Sequence, residues 1–205
     1  MKSFYLTDAG KVRDHNEDSV IIVSNKDNDY LMAIADGMGG HSAGEVASSI
    51  AINYLGKHFK DTFMNMSKVD AVNWIRDSVN EINSLIFKHE KTHPESKGMG
   101  TTLVMALLTK EEASVHPKKN VLMKALGASM EVDVDIFDCD MDISEILLSS
   151  DGLTGMLERE QIERVLLGVG GVEDKVIKLI RKANNRGGTD NISVAYLVRE
   201  EGEDK

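Results

Sequence analysis

Tyr30-Leu31-Met32-Ala33-Ile34-Ala35-Asp36-Gly37-Met38-Gly39-Gly40-His41 is the stretch on which the reading of this 205-residue chain turns. An apolar run ends at a carboxylate and passes into a glycine-rich turn. The run at 19–24 precedes it, separated by Asn25-Lys26-Asp27-Asn28-Asp29. A polar Asn/Asp turn between two short apolar runs signals a hairpin, whose second arm delivers Asp36 at its end.

Working outward, 42–59 carries Val46, Ile50, Tyr54 and Leu55 three or four residues apart, the stripe of a helix packed on a core. A second helix is expected at about 69–89 from Val72, Ile75, Val79, Ile82 and Ile86. Both are expected to flank a sheet. Residues 101–108 read as a buried strand, and Val132, Val134 and Ile136 alternate with Glu131, Asp133 and Asp135 as a half-exposed one. Residues 146–149 form a strand ending at Asp151. Residues 161–167 and 173–183 are helical, the second closed by Asn184-Asn185-Arg186-Gly187-Gly188, and 192–198 is the last strand. Strands and helices do not alternate regularly, which favours an α+β sandwich over a doubly wound parallel sheet. One domain is expected over 1–199, with 200–205 a charged tail.

The formal charge of −10, from 24 Lys and Arg against 34 Asp and Glu, argues against nucleic-acid binding and against an anionic membrane surface. It also repels phosphorylated substrates unless bound cations reverse the local sign. Cys139 is the only cysteine, which excludes an intrachain disulfide and points to a reducing, cytoplasmic setting. Neither a signal-peptide stretch nor a run of membrane-spanning length is present.

Acidic residues recur in short frames at the ends of apolar runs: Arg13-Asp14-His15-Asn16-Glu17-Asp18, Asp36-Gly37, Ser150-Asp151-Gly152 and Gly187-Gly188-Thr189-Asp190-Asn191. A hard divalent cation needs oxygen ligands on rigid elements with backbone free to approach, and Asp36 with the unshielded Gly37 carbonyl offers both. Each frame alone reads equally as a turn with a capping aspartate. Their joint occurrence carries the metal reading. Arg13 could clamp phosphate oxygens with its planar fork, or form a surface ion pair with a neighbouring acid. His41, the one histidine in the glycine-rich motif, could ligate metal, donate a proton or hydrogen-bond near the following helix. His15, His58, His89, His93 and His116 are not spaced as a ligand set, and the methionines read as core fillers.

The order Thr7-Asp8-Ala9-Gly10, Arg13 to Asp18, Asp36 to Glu45, Gly100-Thr101-Thr102, Ser150-Asp151-Gly152-Leu153 and Gly187 to Asn191 resembles the metal-dependent type 2C protein serine/threonine phosphatases, the PPM family, in compact bacterial form. The resemblance runs nearly end to end. It implies two packed antiparallel sheets flanked by helices, an αββα sandwich, with two Mn²⁺ or Mg²⁺ ions at one end. By position it makes Asp36 the bridge between the ions, places Asp151 and Asp190 on the first, and gives the Gly37 carbonyl with Glu17 and Asp18 to the second. Arg13 would bind substrate phosphate, with Asn191 and His41 as auxiliary candidates. Met38 stands where some family members carry a histidine proposed as general acid. Phosphorylated proteins, including a partner serine/threonine kinase, are the implied substrates, and a monomer is expected.

The chain departs from the family pattern after Leu108. The strands carrying a Gly-Asp-Ser-Arg motif and the helical flap are missing, so the fold is expected to lack some central strands, the flap and the aspartate that holds a third metal. This leaves an alternative of another class, a phosphatase-like module that binds metal or phosphoprotein but turns over poorly. A structural cation-binding domain would have to treat Arg13 as incidental.

Overall fold

The computed structural model describes residues 1–39, 43–109, 119–139 and 143–199, with 119–124 and 138–139 described by backbone alone. The elements run β1 (Lys2–Asp8), β2 (Asp18–Ser24), β3 (Tyr30–Met38), α1 (Ala43–Thr62), α2 (Lys68–Thr92), β4 (Gly100–Leu108), β5 (Lys119–Leu126), β6 (Phe137–Cys139), β7 (Glu145–Ser149), α3 (Asp151–Thr154), α4 (Arg159–Leu166), α5 (Val172–Asn185) and β8 (Ile192–Val198). The pairings are all antiparallel and build a five-stranded sheet, β2-β3-β4-β5-β6, and a three-stranded one, β1-β8-β7.

Three apolar layers hold the sheets and helices together. β3 is buried on both faces, which is why its sequence is apolar without alternation. Leu31, Ala33 and Ala35 face α1 and α2, and Met32 and Ile34 face the other sheet, against Leu148, Ala195 and Leu197. On the far side Leu179, Ile180 and Val176 of α5 pack on Ile192, Val194 and Tyr196 of β8. The result is the expected helix–sheet–sheet–helix sandwich.

The β2–β3 turn is built by Asn25. Its Oδ1 accepts from the Asp27 and Asp29 N–H groups, both at 2.9 Å, and its Nδ2 donates to the Phe63 carbonyl at 2.7 Å. One side chain therefore closes the hairpin and pins it to the end of α1. α2 starts at Ser67, whose Oγ accepts from the Asp70 N–H.

One expectation is refined and one corrected. Val46, Ile50 and Tyr54 pack half-buried against the core as expected, but the fully buried stripe of α1 is Ala43, Ala47, Ala51, Leu55 and Phe59, of which only Leu55 belongs to the expected set. Small residues let the helix lie close on the sheet. Tyr54 turns toward α2, stacking on His58, which stacks on Trp74. Residues 132–136 form no strand. Val134 is buried, and Val132 and Ile136 pack on the helix-side core, so the alternation reports burial of an extended segment without a ladder. The strand paired to β4 is β5, which the sequence reading passed over. The tail at 200–205, the stretch at 110–118 and His41 lie outside the described residues. Among the described residues no helix is long and apolar enough to cross a membrane.

Candidate metal centre

Strand register brings the first two acids together. Asp18 opens β2, Asp36 lies near the end of β3, and the two stand directly opposite each other. Asp151 begins α3 just after β7, and Asp190 precedes β8. Burial pushes the Asp36 carboxyl up to about 7, and the negative charges of Asp18, Asp151 and Asp190 add to the rise. Four carboxylates from four segments thus share one electrostatic site.

Asp18 is the deepest of them, 6% exposed. Burial raises its pKa, and the hydrogen bond from Ser150 partly offsets that. The Ser193 N–H donates to Ser150 Oγ at 2.9 Å, and the Ser150 hydroxyl donates to Asp18 Oδ2 at 2.7 Å. The other oxygen, Asp18 Oδ1, is buried with no hydrogen-bond partner. Leaving a charged acceptor unmet costs more than about 1–3 kcal/mol. An all-oxygen donor set with one carboxylate oxygen lacking any partner suits a hard cation. Among the described residues, no three acidic or histidine side chains close on one point as an ion would require. Asp18 and Asp190 are each engaged by another side chain, Ser150 and Arg13 respectively.

Glu17 reaches the same end through missing side chains. The Gly37 N–H donates to the Glu17 carbonyl at 3.1 Å. A Cβ on Gly44, in the first turn of α1, would lie 2.5 Å from Glu17 Oε2, and one on Gly37 would lie 2.3 Å from the Gly44 carbonyl oxygen. The glycines of the motif therefore make a slot in which the Glu17 carboxylate lies against the start of a 20-residue helix, where the helix dipole favours a negative charge.

Arg13 sits on the exposed loop between β1 and β2. Its guanidinium donates to Asp190 Oδ2 at 2.9 Å, with the two side chains 55% and 38% exposed. The sequence left open a phosphate clamp or an ion pair with a nearby acid; the arginine is paired, with an acid 177 residues away. Met38 is 40% exposed and pairs in register with Gly100. It has no proton to give. His58, His89 and His93 make ring contacts with Tyr54, Trp74 and one another. A surface recess of about 290 Å³ at the end of α2, lined by Glu90, Lys91, Pro94 and Lys97, includes none of the site residues.

The supporting residues were less visible in the sequence than the acids. Thr101 donates from Oγ1 to the Asp36 carbonyl at 3.0 Å, and the Asp36 N–H donates to Thr102 Oγ1 at 3.3 Å. Asn16 donates to Thr7 Oγ1, which also accepts from the Ser193 hydroxyl. Ser193 is the one polar residue within the apolar run of β8 and is fully buried, a signal that could have marked it.

The sequence matches the model of the protein phosphatase 2C family over residues 10–116. It is 33% identical to the serine/threonine phosphatase stp of Listeria monocytogenes, with 98% of this chain and 96% of that protein covered. That alignment runs over 243 positions, so on a chain of 205 residues at least 38 of them have no residue here. The fold matches the crystal structure of the serine/threonine phosphatase Stp1 from Staphylococcus aureus with a TM-score of 0.88 at 26% identity, covering 97% of this chain and 95% of that one. It also matches the catalytic domain of the serine/threonine protein phosphatase PstP in complex with two manganese ions, with a TM-score of 0.79 at 26% identity, covering 97% and 98%. A four-layer sandwich carrying carboxylates on four separated frames, matched in sequence and fold nearly end to end, belongs to the protein phosphatase 2C family.

Proposed function

We propose that this chain hydrolyses phosphoserine and phosphothreonine monoesters on proteins at the rim formed by Asp18, Asp36, Asp151 and Asp190. The observation that supports this most is that Asp18 stands opposite Asp36, with Asp151 and Asp190 near enough for their charges to raise the Asp36 pKa and Arg13 paired to Asp190. Asp36, Asp151 and Asp190 would hold one divalent ion, and Asp36, Glu17, Asp18 and the Gly37 carbonyl a second, as Mn²⁺ or Mg²⁺. Bound there, such ions supply positive charge for the phosphoryl oxygens and acidify a water molecule toward neutral pH.

The rest of the work falls to the chain. A phosphate dianion would meet only repulsion from four carboxylates, so the site excludes it until their charge is balanced. Arg13, exposed on its loop, turns from Asp190 to the phosphate with the same two-pronged donor geometry. The Asp36 backbone donates to Thr102 Oγ1 and accepts from Thr101 Oγ1, and the Ser150 hydroxyl donates to the Asp18 carboxylate, so both acids are anchored at strand ends. Met38, at the mouth, donates nothing to the leaving oxygen, which takes its proton from solvent within the site. Phosphorylated proteins, a partner kinase among them, are the substrates, and the domain of 1–199 acts as a cytoplasmic monomer.

Hydrolysis of a phosphothreonine peptide with and without Mn²⁺, beside Asp36→Asn, tests this. Turnover that requires Mn²⁺ and is lost in the variant is expected. Mn²⁺-independent turnover, or turnover retained in Asp36→Asn, would overturn the reading.

A further inference from the structure

We infer that Asn191, an auxiliary candidate for the metal set, is no ligand but the positioning residue that holds the whole 9–17 loop in place, and with it Arg13 and Glu17. The inference rests on the proposed phosphatase reading. Residues 9–17 join β1 to β2 without forming a strand or helix. Asn191 stands at the entrance of β8 and is 7% exposed. Its Nδ2 donates to the Ala9 carbonyl at 3.0 Å and to the His15 carbonyl at 2.9 Å, while its Oδ1 accepts from the Glu17 N–H at 2.8 Å. Both amide donors and the amide acceptor are thereby used, at the beginning, near the end and at the end of the loop.

The backbone of Asn191 is itself fixed. Its N–H donates to Asp190 Oδ1 at 2.9 Å, and its carbonyl accepts from Ser150 Oγ at 3.4 Å. A Cβ on Gly152 would lie 1.9 Å from that carbonyl oxygen, so α3 is pressed against the same residue. One side chain thus ties the loop to the segment that presents Asp151 and Asp190. The amide orientation follows from its partners: two carbonyls must face Nδ2 and one N–H must face Oδ1, so the flipped amide would lose all three bonds. The amide oxygen is thus already turned to the Glu17 N–H and the amide nitrogen to two carbonyls, which is the geometry of a clasp on the loop.

Asn191→Asp separates the two roles. The shapes are the same, but the carboxylate faces the Ala9 and His15 carbonyls with oxygen in place of an N–H. If Asn191 were a ligand, a carboxylate would hold Mn²⁺ at least as well. As the loop's clasp it must loosen, and outer partners of metal ligands alter affinity by about 10–100-fold when lost. The experiment titrates Mn²⁺ calorimetrically into wild type, Asn191→Asp, Asn191→Ala and Asp36→Asn, and measures kcat and KM on a phosphothreonine peptide. Expected for both Asn191 variants is about tenfold or more weakening of one of two Mn²⁺ sites, the Glu17 one, with the other within about twofold. KM should rise more than kcat falls, because Arg13 rides on the freed loop.

Mn²⁺ affinity retained or tightened in Asn191→Asp overturns the inference. Unchanged binding in Asp36→Asn would instead overturn the phosphatase reading beneath it. Should the variants not fold, hydrogen exchange on the wild type decides: a Glu17 amide protected in chelator-treated protein supports the clasp, and one that exchanges as freely as the exposed loop contradicts it.

Discussion

The two halves of the carboxylate rim differ in depth and in what holds them. The inner half, Asp18 and Asp36, lies on paired strands, with Asp18 buried and fed by a serine-to-serine hydrogen-bond chain from β7 and β8. The outer half, Asp190 with Arg13, is an ion pair with both side chains more than a third exposed. Exposed pairs of this kind contribute about 0–1 kcal/mol and re-form easily with another partner. On the proposed reading the inner half sets the demand for cations, and the outer half exchanges an internal partner for a substrate.

The sharpest way to break this contrast is Asp36→Asn, which keeps the shape and removes the charge that three other carboxylates crowd. Phosphopeptide kcat/KM should fall by at least about 10³-fold, while the melting temperature of the metal-free protein holds or rises as repulsion is relieved. Activity within a few-fold of the parent would refute the site. Arg13→Ala acts on the outer half alone: kcat/KM on the phosphopeptide drops about 10²-fold, and Mn²⁺ affinity measured by calorimetry stays equal or tightens because Asp190 loses its competitor. A matching loss of Mn²⁺ affinity would mean that the two halves are one unit.

Gly44→Ala tests the slot behind Glu17. The added methyl would sit 2.5 Å from Glu17 Oε2 and must displace it, so one Mn²⁺ site should weaken about tenfold in the titration, with the helix content by circular dichroism unchanged. The smallest effect is on stability against pH in chelator. Asp36 has its folded pKa raised from 3.8 to about 7, so the folded chain holds a proton that the unfolded chain releases. The stability from that proton is fully present below about pH 4 and is lost as pH rises through about 7. With solvent screening it amounts to about 1–2 kcal/mol. Thermal unfolding of metal-free protein should give a lower Tm at pH 8 than at pH 5, and saturating Mn²⁺ should remove the difference.

What the sequence made legible follows from the range of the forces involved. Arg13, Asp18, Asp36, Asp151 and Asp190 stood out as candidates because each sits in a short frame whose glycines and strand ends are local properties. The β2–β3 hairpin was readable for the same reason, its turn being built by Asn25 within four residues. Asn191 was placed only as an auxiliary, because its partners at Ala9, His15 and Glu17 lie more than 170 positions away. Ser150 and Thr101 act across strands in the same way. On α1 the sequence showed Val46 and Ile50, which pack half-buried on the core, but not the deeper Ala47 and Ala51, because close packing on β3 selects small residues that carry little hydrophobic signal. At 132–136 the alternation was true of burial, and burial alone does not supply a pairing partner.

The claim that four acids distant in sequence form one cation centre is tested most directly by Mn²⁺ titration of the purified chain, followed by calorimetry and by Tm. The account predicts two bound ions and a Tm that climbs with Mn²⁺ concentration, as binding to the folded state alone requires, both effects being strongly reduced in Asp36→Asn. A wild-type chain that binds Mn²⁺ no better than Asp36→Asn, with Tm unmoved, would contradict it.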